Sequence, residues 1–324
     1  MKKILKITIY NLVLFAVIFF ISDYILYKIT SEPIKYLEAH PLSTSVPKYH
    51  YTLKNPQIPY TELDGYFNNE DNIFAGRKPF GTNYKSTPIL IFGDSFAHGQ
   101  YLEPNQTFGY KLSETLKRPV YNRAIPGSGF QHMYYQVTQP FSSVFFSQVP
   151  KTDTVIYIMI NDHYLRMSIF SDFDITGDYF HLHYNYKNGK LVKDNYSNPI
   201  LNFFKSSYTI KALNLKYLDY TIGSPLFAEH YTNNALHYFV ETRKMLEEKW
   251  QNKINFTVIL YDNTPIYYKD LLKQKLKENN FNVIDTSELT TKDLNSETYL
   301  MQDNLHPTEK AWDLLTPKII KRLN

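Results

Sequence analysis

The sequence predicts an α/β domain built on a parallel five-stranded sheet with helices on both faces. Three observations carry that prediction. Short apolar runs alternate with helix-period segments from Pro88 to the C-terminus. One of those runs, Thr154 to Ile160, is continuous, as expected of a strand covered on both sides. Ser95, Gly127 and Asn161 each fall just past the end of a predicted strand, where open parallel sheets bind their ligands.

The elements follow in order. A strand over Ile89–Phe92 runs through Gly93-Asp94-Ser95-Phe96 into a segment that reads as helix. Phe108, Leu112 and Leu116 share one face of a helix over Thr107–Leu116. A second strand, Val120–Asn122, precedes the turn-forming Pro126-Gly127-Ser128-Gly129, and a helix is expected near Gln131–Gln139. After the third strand, residues 163–231 break the alternation and read as an insertion. It contains a hairpin, His181–Tyr186 with Lys190–Val192, joined through Asn188-Gly189, a strong turn signal. The alternation resumes with a helix over Ala235–Trp250, a strand over Phe256–Tyr261 and a helix over Pro265–Glu278. A strand over Phe281–Ile284 and a last helix over Glu309–Leu323 complete the domain.

Composition limits the function. The chain has 324 residues, 43% hydrophobic and 20% charged, enough for a packed core of one large domain. A formal charge of +4 with no basic stripe among aromatics argues against a nucleic-acid partner. The absence of cysteine excludes disulfides, thiolate chemistry and cysteine-based metal sites.

Ahead of the domain, Lys2, Lys3 and Lys6 precede an apolar stretch from Ile7 to Ile21, extended past Asp23 by Tyr24-Ile25-Leu26-Tyr27. Length and flanks predict an uncleaved signal anchor over residues 1–28, crossing the bilayer with residues 4–27. No small-residue cleavage site follows it. This places the N-terminus in the cytoplasm and the rest of the chain beyond the inner membrane. Residues 29–85, rich in Pro, Tyr and Asn, read as a connector packed on the domain at 86–324.

A serine at the end of a buried strand, with a late Asp-x-x-His, supplies the parts of a nucleophilic hydrolase. A serine hydroxyl needs a base to take its proton, and His306 is the candidate, oriented by Asp303 three residues earlier. The backbone N–H groups of Ser95 and Gly127 and the amide of Asn161 are the candidate oxyanion donors. Taken singly, each feature has a plain alternative: Gly-Asp-Ser as a common turn, Asp-x-x-His-Pro as a helix entry capped by Thr308, Asn161-Asp162 as turn chemistry. Their occurrence in order, at strand ends and before the last helix, favours a site. His98, His132, His163 and Tyr164 are candidates for the substrate rim, with His98 also weighed as a competing base. His181 and His183 share a strand face but lack a third ligand nearby, so no metal is assigned. The 29 tyrosines fit either a glycan-binding surface or compositional bias.

These residues resemble the signature of the SGNH (GDSL-type) hydrolase superfamily. Gly93-Asp94-Ser95 matches its first block, Asn122 with Gly127 five positions on its second, Asn161-Asp162 its third, and Asp303-x-x-His306 its last. Met159 stands where the third block usually carries glycine, and Phe96 where the first continues with an aliphatic residue. The resemblance covers Pro88 to the C-terminus apart from the insertion. It implies a three-layer α/β/α flavodoxin-like fold and ester hydrolysis or acyl transfer without cofactor or metal. Single-anchor members are similar to enzymes that add or remove acetyl groups on envelope polysaccharide. The expected substrate is therefore an acylated glycan or other ester, with a polytopic membrane protein as acyl donor if the reaction is transfer. A lipid or small-ester hydrolase and a non-catalytic envelope scaffold or glycan-binding protein on the same fold are the competing readings.

Overall fold

The computed structural model describes residues 77, 79–138, 142–167, 184–187, 190–193, 228–261, 266–301 and 305–323, together with 10, 11, 14–22, 24 and 25. Backbone contacts divide the chain into two units, residues 1–44 with 195–221 and residues 45–194 with 222–324. In the first, residues 14–22 are helical, and Leu14, Phe15, Ile18, Phe20 and Ile21 are exposed. No helix among the described residues is long and apolar enough to cross a membrane. The span expected over residues 4–27 lies in part outside the described residues.

The second unit holds the sheet. Its strands are β1 (Ile89–Phe92), β2 (Val120–Asn122), β3 (Thr154–Met159), β6 (Asn255–Leu260) and β7 (Asn282–Asp285), in the order β2-β1-β3-β6-β7. All four pairings are parallel, with Ile89 opposite both Val120 and Thr154, Thr154 opposite Asn255, and Thr257 opposite Asn282. This is the doubly wound order of flavodoxin-like folds, whose direction of winding reverses between β1 and β3. The hairpin forms a separate sheet, β4 (Tyr184–Lys187) antiparallel to β5 (Lys190–Lys193). His181 and His183 lie outside the described residues.

Alternation along the strands sends side chains to two cores. On one face Ile89, Ile91, Ile156, Ile158 and Ile259 pack with α2 (Phe108–Leu116) and α8 (Glu309–Leu323), centred on Phe108 against Trp312 at 5.1 Å. Thr107 caps α2 by accepting from the Tyr110 N–H at 3.3 Å, and Lys117 ends it with φ +52°. The other face is aromatic. Tyr157 stacks on Phe130 of α3 (Phe130–Val137) at 5.6 Å, and Phe92 on Phe145 of α4 (Ser142–Gln148) at 6.0 Å. Phe239 of α6 (Ala228–Trp250) meets Tyr157, Phe256 and Phe281 at ring separations of 5.1, 5.9 and 6.0 Å. Truncating Phe239 to alanine would cost about 3–5 kcal/mol by this loss of contact. The expected three layers are present.

Some boundaries differ from expectation. The helix expected from Ala235 begins at Ala228, because Thr232 and Ala235 continue the buried face of Tyr238, Phe239, Thr242 and Leu246. Alpha-helix α4 and the helix α5 (Asp162–Met167), at the start of the expected insertion, were not anticipated. Each is a single short segment whose periodicity is too brief to register. Residues 77 and 80 pair with β2. Phe80 forms an antiparallel bridge with Val120, and the Arg77 N–H donates to Asn122 O at 3.0 Å.

Candidate active site

The loops beyond the C-terminal ends of β1, β2 and β3 are stitched to one another. Gly93 leaves β1 with φ +144°, and a Cβ there would lie 2.6 Å from Ala97 Cβ and 2.9 Å from Ile158 O, so only glycine fits. Asp94 then turns the chain into α1 (Ser95–His98), its Oδ1 accepting the Phe96 N–H at 3.0 Å. Asn122, at the end of β2, reaches across to α1. Its Nδ2 donates to Ala97 O at 2.7 Å while its Oδ1 accepts from the Ala124 N–H at 3.1 Å. The following loop returns to Gly93, whose carbonyl accepts from the Ile125 N–H at 3.1 Å and from Ser128 Oγ at 2.7 Å.

Pro126 and Gly127 occupy the centre of a turn closed by the Ser128 N–H to Ile125 O at 3.0 Å. Gly127 has φ +77°, the conformation glycine supplies at the third position of a type II turn. A Cβ on Gly127 would meet nothing within 4 Å, so the glycine borders open space. Among the described residues, neither the Ser95 N–H nor the Gly127 N–H is engaged by another group. Asn161 follows β3 with its Oδ1 accepting the Tyr267 N–H at 2.9 Å. That bond orients the side chain and leaves its Nδ2 as the available donor. Met159, buried in β3, does not prevent this arrangement.

His306 enters from the last loop. Leu300 and Pro307 form an antiparallel bridge, with the Met301 N–H donating to His306 O at 2.7 Å and the Thr308 N–H to Tyr299 O at 2.9 Å. The imidazole packs on Phe96, the residue after Ser95, at a ring separation of 5.3 Å, and on Tyr101 at 5.2 Å. Phe96 in turn rests on Tyr261. Ser95, Gly127 and Asn161 thus follow the C-terminal ends of β1, β2 and β3, on either side of the β1–β3 switch point, and His306 packs against the residue after Ser95. Ser95, Asn161 and His306 are only 6, 8 and 7% exposed. Ser95 Oγ makes no hydrogen bond among the described residues, so the seryl–imidazole bond is not formed in this conformation. Catalytic hydrogen bonds often tighten only with substrate bound. Asp303 lies outside the described residues.

The four rim candidates are placed differently. His98, His132, His163 and Tyr164 are all at most 2% exposed and belong to the interior. His132 Nδ1 accepts from the Gly129 N–H at 3.0 Å. His98 is held well below its usual pKa by burial first and by the neighbouring Arg77 second, so it stays neutral and is a poor proton acceptor. Burial raises the Tyr164 hydroxyl above its ordinary range.

His163 takes part in a network the sequence did not disclose. Asp94 is fully buried, and its Oδ2 lies 2.8 Å from Arg166 Nη1 and 3.3 Å from His163 Nε2. Burial would raise the Asp94 pKa, yet His163 and Arg166 together outweigh it and hold the carboxyl well below the usual carboxylate range. His163 Nδ1 pairs with Tyr157 Oη at 3.0 Å. Burial keeps that phenol protonated, so it donates to Nδ1 and leaves Nε2–H to face Asp94. Arg77, a second unanticipated group, is buried and donates to the carbonyls of His98 at 2.5 Å, Gly99 at 2.6 Å and Leu102 at 2.9 Å. It satisfies the carbonyl end of α1 from the connector.

No protein-family model matches the chain, and no curated protein matches it in sequence. Solved structures overlap it at low identity. One is a member of the lipolytic protein G-D-S-L family from Veillonella parvula DSM 2008, 12% identical with a TM-score of 0.42, over 73% of this chain and 97% of that one. Another is Axe2, an acetylxylan esterase from Geobacillus stearothermophilus, 14% identical with a TM-score of 0.39, over 74% and 94%. A third is a two-domain esterase active on acetylated mannans, 14% identical with a TM-score of 0.40, over 73% of this chain and 48% of that one. Overlaps of this size leave chemistry and substrate to be read from the chain's own residues.

Proposed function

We propose that the protein is an SGNH-type serine esterase that forms an acyl-enzyme on Ser95. What supports this reading is the position of Ser95, Gly127 and Asn161 just beyond the ends of β1, β2 and β3, with His306 packed on Phe96, the residue after Ser95. In the first step Ser95 Oγ attacks the ester carbon while His306 takes its proton. The carbonyl oxygen gains the charge and is met by the Ser95 and Gly127 N–H groups and Asn161 Nδ2, each such donor contributing roughly 3–4 kcal/mol at the transition state. The ester C–O bond then breaks, the leaving alkoxide takes the proton from His306, and the acyl group remains on Ser95. Water, activated by the same imidazole, releases the acid; a sugar hydroxyl in its place would give transfer. Asp303 is assigned the orientation of His306 on its spacing in the sequence.

The substrate class we favour is an O-acetyl ester of an envelope polysaccharide, reached by a domain tethered through the N-terminal segment. The support for tethering is the apolar run from Ile7 to Ile21 and the exposed apolar side chains of residues 14–22. On this reading the N-terminus is cytoplasmic, the catalytic domain lies beyond the inner membrane, and transfer would draw on a polytopic acyl-donor partner. Acetate release from acetylated xylan and from aryl acetates, by the full chain and by Ser95→Ala, tests the proposal. Ser95-dependent release from the glycan supports it. Ser95-dependent hydrolysis of aryl or long-chain esters alone favours the lipid or small-ester reading, and a folded chain inert to all of them favours the scaffold.

A further inference from the structure

We propose that Arg166 is a positioning residue that clamps together the two backbone turns supplying the oxyanion donors. The inference rests on the esterase reading above and assigns a role to a residue outside its four blocks. One nitrogen makes the clamp. Arg166 Nη1 donates to Asp94 Oδ2 at 2.8 Å and to Ser128 O at 2.6 Å. Asp94 immediately precedes Ser95, and Ser128 immediately follows Gly127. The two anchors therefore sit one residue away from the two N–H groups that face the developing oxyanion.

The rest of the arrangement stiffens that link. Ser128 Oγ donates to Gly93 O at 2.7 Å, closing the two turns from the far side. Arg166 is itself held along α5, its carbonyl accepting from Gln131 Nε2 at 2.8 Å and its Nη2 lying 3.6 Å from Asp162 Oδ2. A Cβ on Gly129 would lie 3.3 Å from Arg166 Cβ, so the stem of the arginine is packed against the second turn. Backbone donors separated by a fixed distance need no reorganisation as charge develops. An arginine that only neutralised Asp94 would have no reason to spend the same nitrogen on a carbonyl of the neighbouring loop. Because α5 begins the inserted segment, the clamp also ties that segment's first turn to the site.

The test compares full-length wild type, Arg166→Met and Arg166→Lys on an aryl acetate, reading kcat and KM separately together with the melting temperature. Methionine keeps the packed stem without donors, whereas the lysine ammonium can still donate to both anchors, though with a different geometry. The clamp predicts kcat lowered about a hundredfold in Arg166→Met, with KM within about threefold of wild type. It also predicts kcat recovered to within about tenfold of wild type in Arg166→Lys. If Arg166→Met fails to fold, Arg166→Lys alone decides, since a clamp of altered geometry must lower kcat by at least about threefold at constant KM. The inference is overturned if wild type turns over through Ser95 and the folded variants match its kcat. It is overturned equally if kcat falls only in parallel with melting temperature and lysine restores neither. A wild-type chain with no Ser95-dependent turnover removes the esterase reading and the clamp with it.

Discussion

Asp94→Asn isolates the charge beneath the nucleophile while keeping its shape. The asparagine Oδ1 can still accept the Phe96 N–H, so the cap of α1, worth about 1 kcal/mol, survives. What disappears is the charge-assisted bond to Arg166, worth about 1.5–3 kcal/mol. The new amide also presents hydrogens toward Arg166 and His163, which are themselves donors. Arg166 is 24% exposed and has Asp162 at 3.6 Å, so the cost stays below the roughly 3–5 kcal/mol of a fully orphaned buried charge. We expect about 2–3 kcal/mol, read as a melting temperature lowered by roughly 4–10 °C at pH 7.

The sign of the pH dependence follows from the depressed Asp94 pKa. A carboxylate whose folded pKa lies below its unfolded value of about 3.9 contributes its full stability above that value and loses it as pH falls toward the folded pKa. Thermal melts followed by circular dichroism should therefore show a constant gap between wild type and Asp94→Asn from pH 7 to about 5. The gap should narrow between about pH 4 and 3. A gap under about 1 °C at pH 7, or one unchanged down to pH 3, would refute the idea that a buried, ionised Asp94 holds this turn.

Other outcomes follow from the same geometry. Asn161→Ala should lower kcat by about a hundredfold with little change in KM, since the donor is used only as charge develops; a rise in KM at constant kcat would make it a ground-state contact. Gly127→Ala places a side chain in open space, so only the left-handed backbone resists, at about 1–2 kcal/mol. Gly93→Ala meets backbone at 2.9 Å as well, and should melt at least about 5 °C lower than Gly127→Ala; equal melting points would contradict the packing described. Arg77→Met should destabilise by about 2–4 kcal/mol, because the carbonyls of His98 and Gly99 at the end of α1 and of Leu102 beyond it lose a buried donor, and urea titration would read it.

The sheet was legible because its strands are buried on both faces and its helices carry regular apolar spacing. Ile89–Phe92 and Val120–Asn122 have the expected bounds, whereas Asn282–Asp285 begins one residue later than expected. That Ser95, Gly127 and Asn161 stand just past strand ends was legible for a related reason: turn-forming residues at strand ends mark the ligand edge of such a sheet. The support beneath them was not. Asp94, His163 and Arg166 are separated by up to 72 residues, and no local period links a carboxylate after β1 to a guanidinium on α5. Arg77 was hidden for the same reason, as an isolated cation in a segment without pattern. The histidines expected at the rim went inward because chain position tells how near a residue is to the site, not which way its side chain points.

The most direct check is a site-mapped fluorophosphonate adduct on the full chain, with Ser95→Ala and His306→Ala beside it. Activation of the serine by the imidazole predicts one adduct, on the peptide bearing Ser95, absent from Ser95→Ala and formed at least about a hundredfold more slowly in His306→Ala. A folded wild type that stays unmodified, or labels as fast without His306, would contradict it.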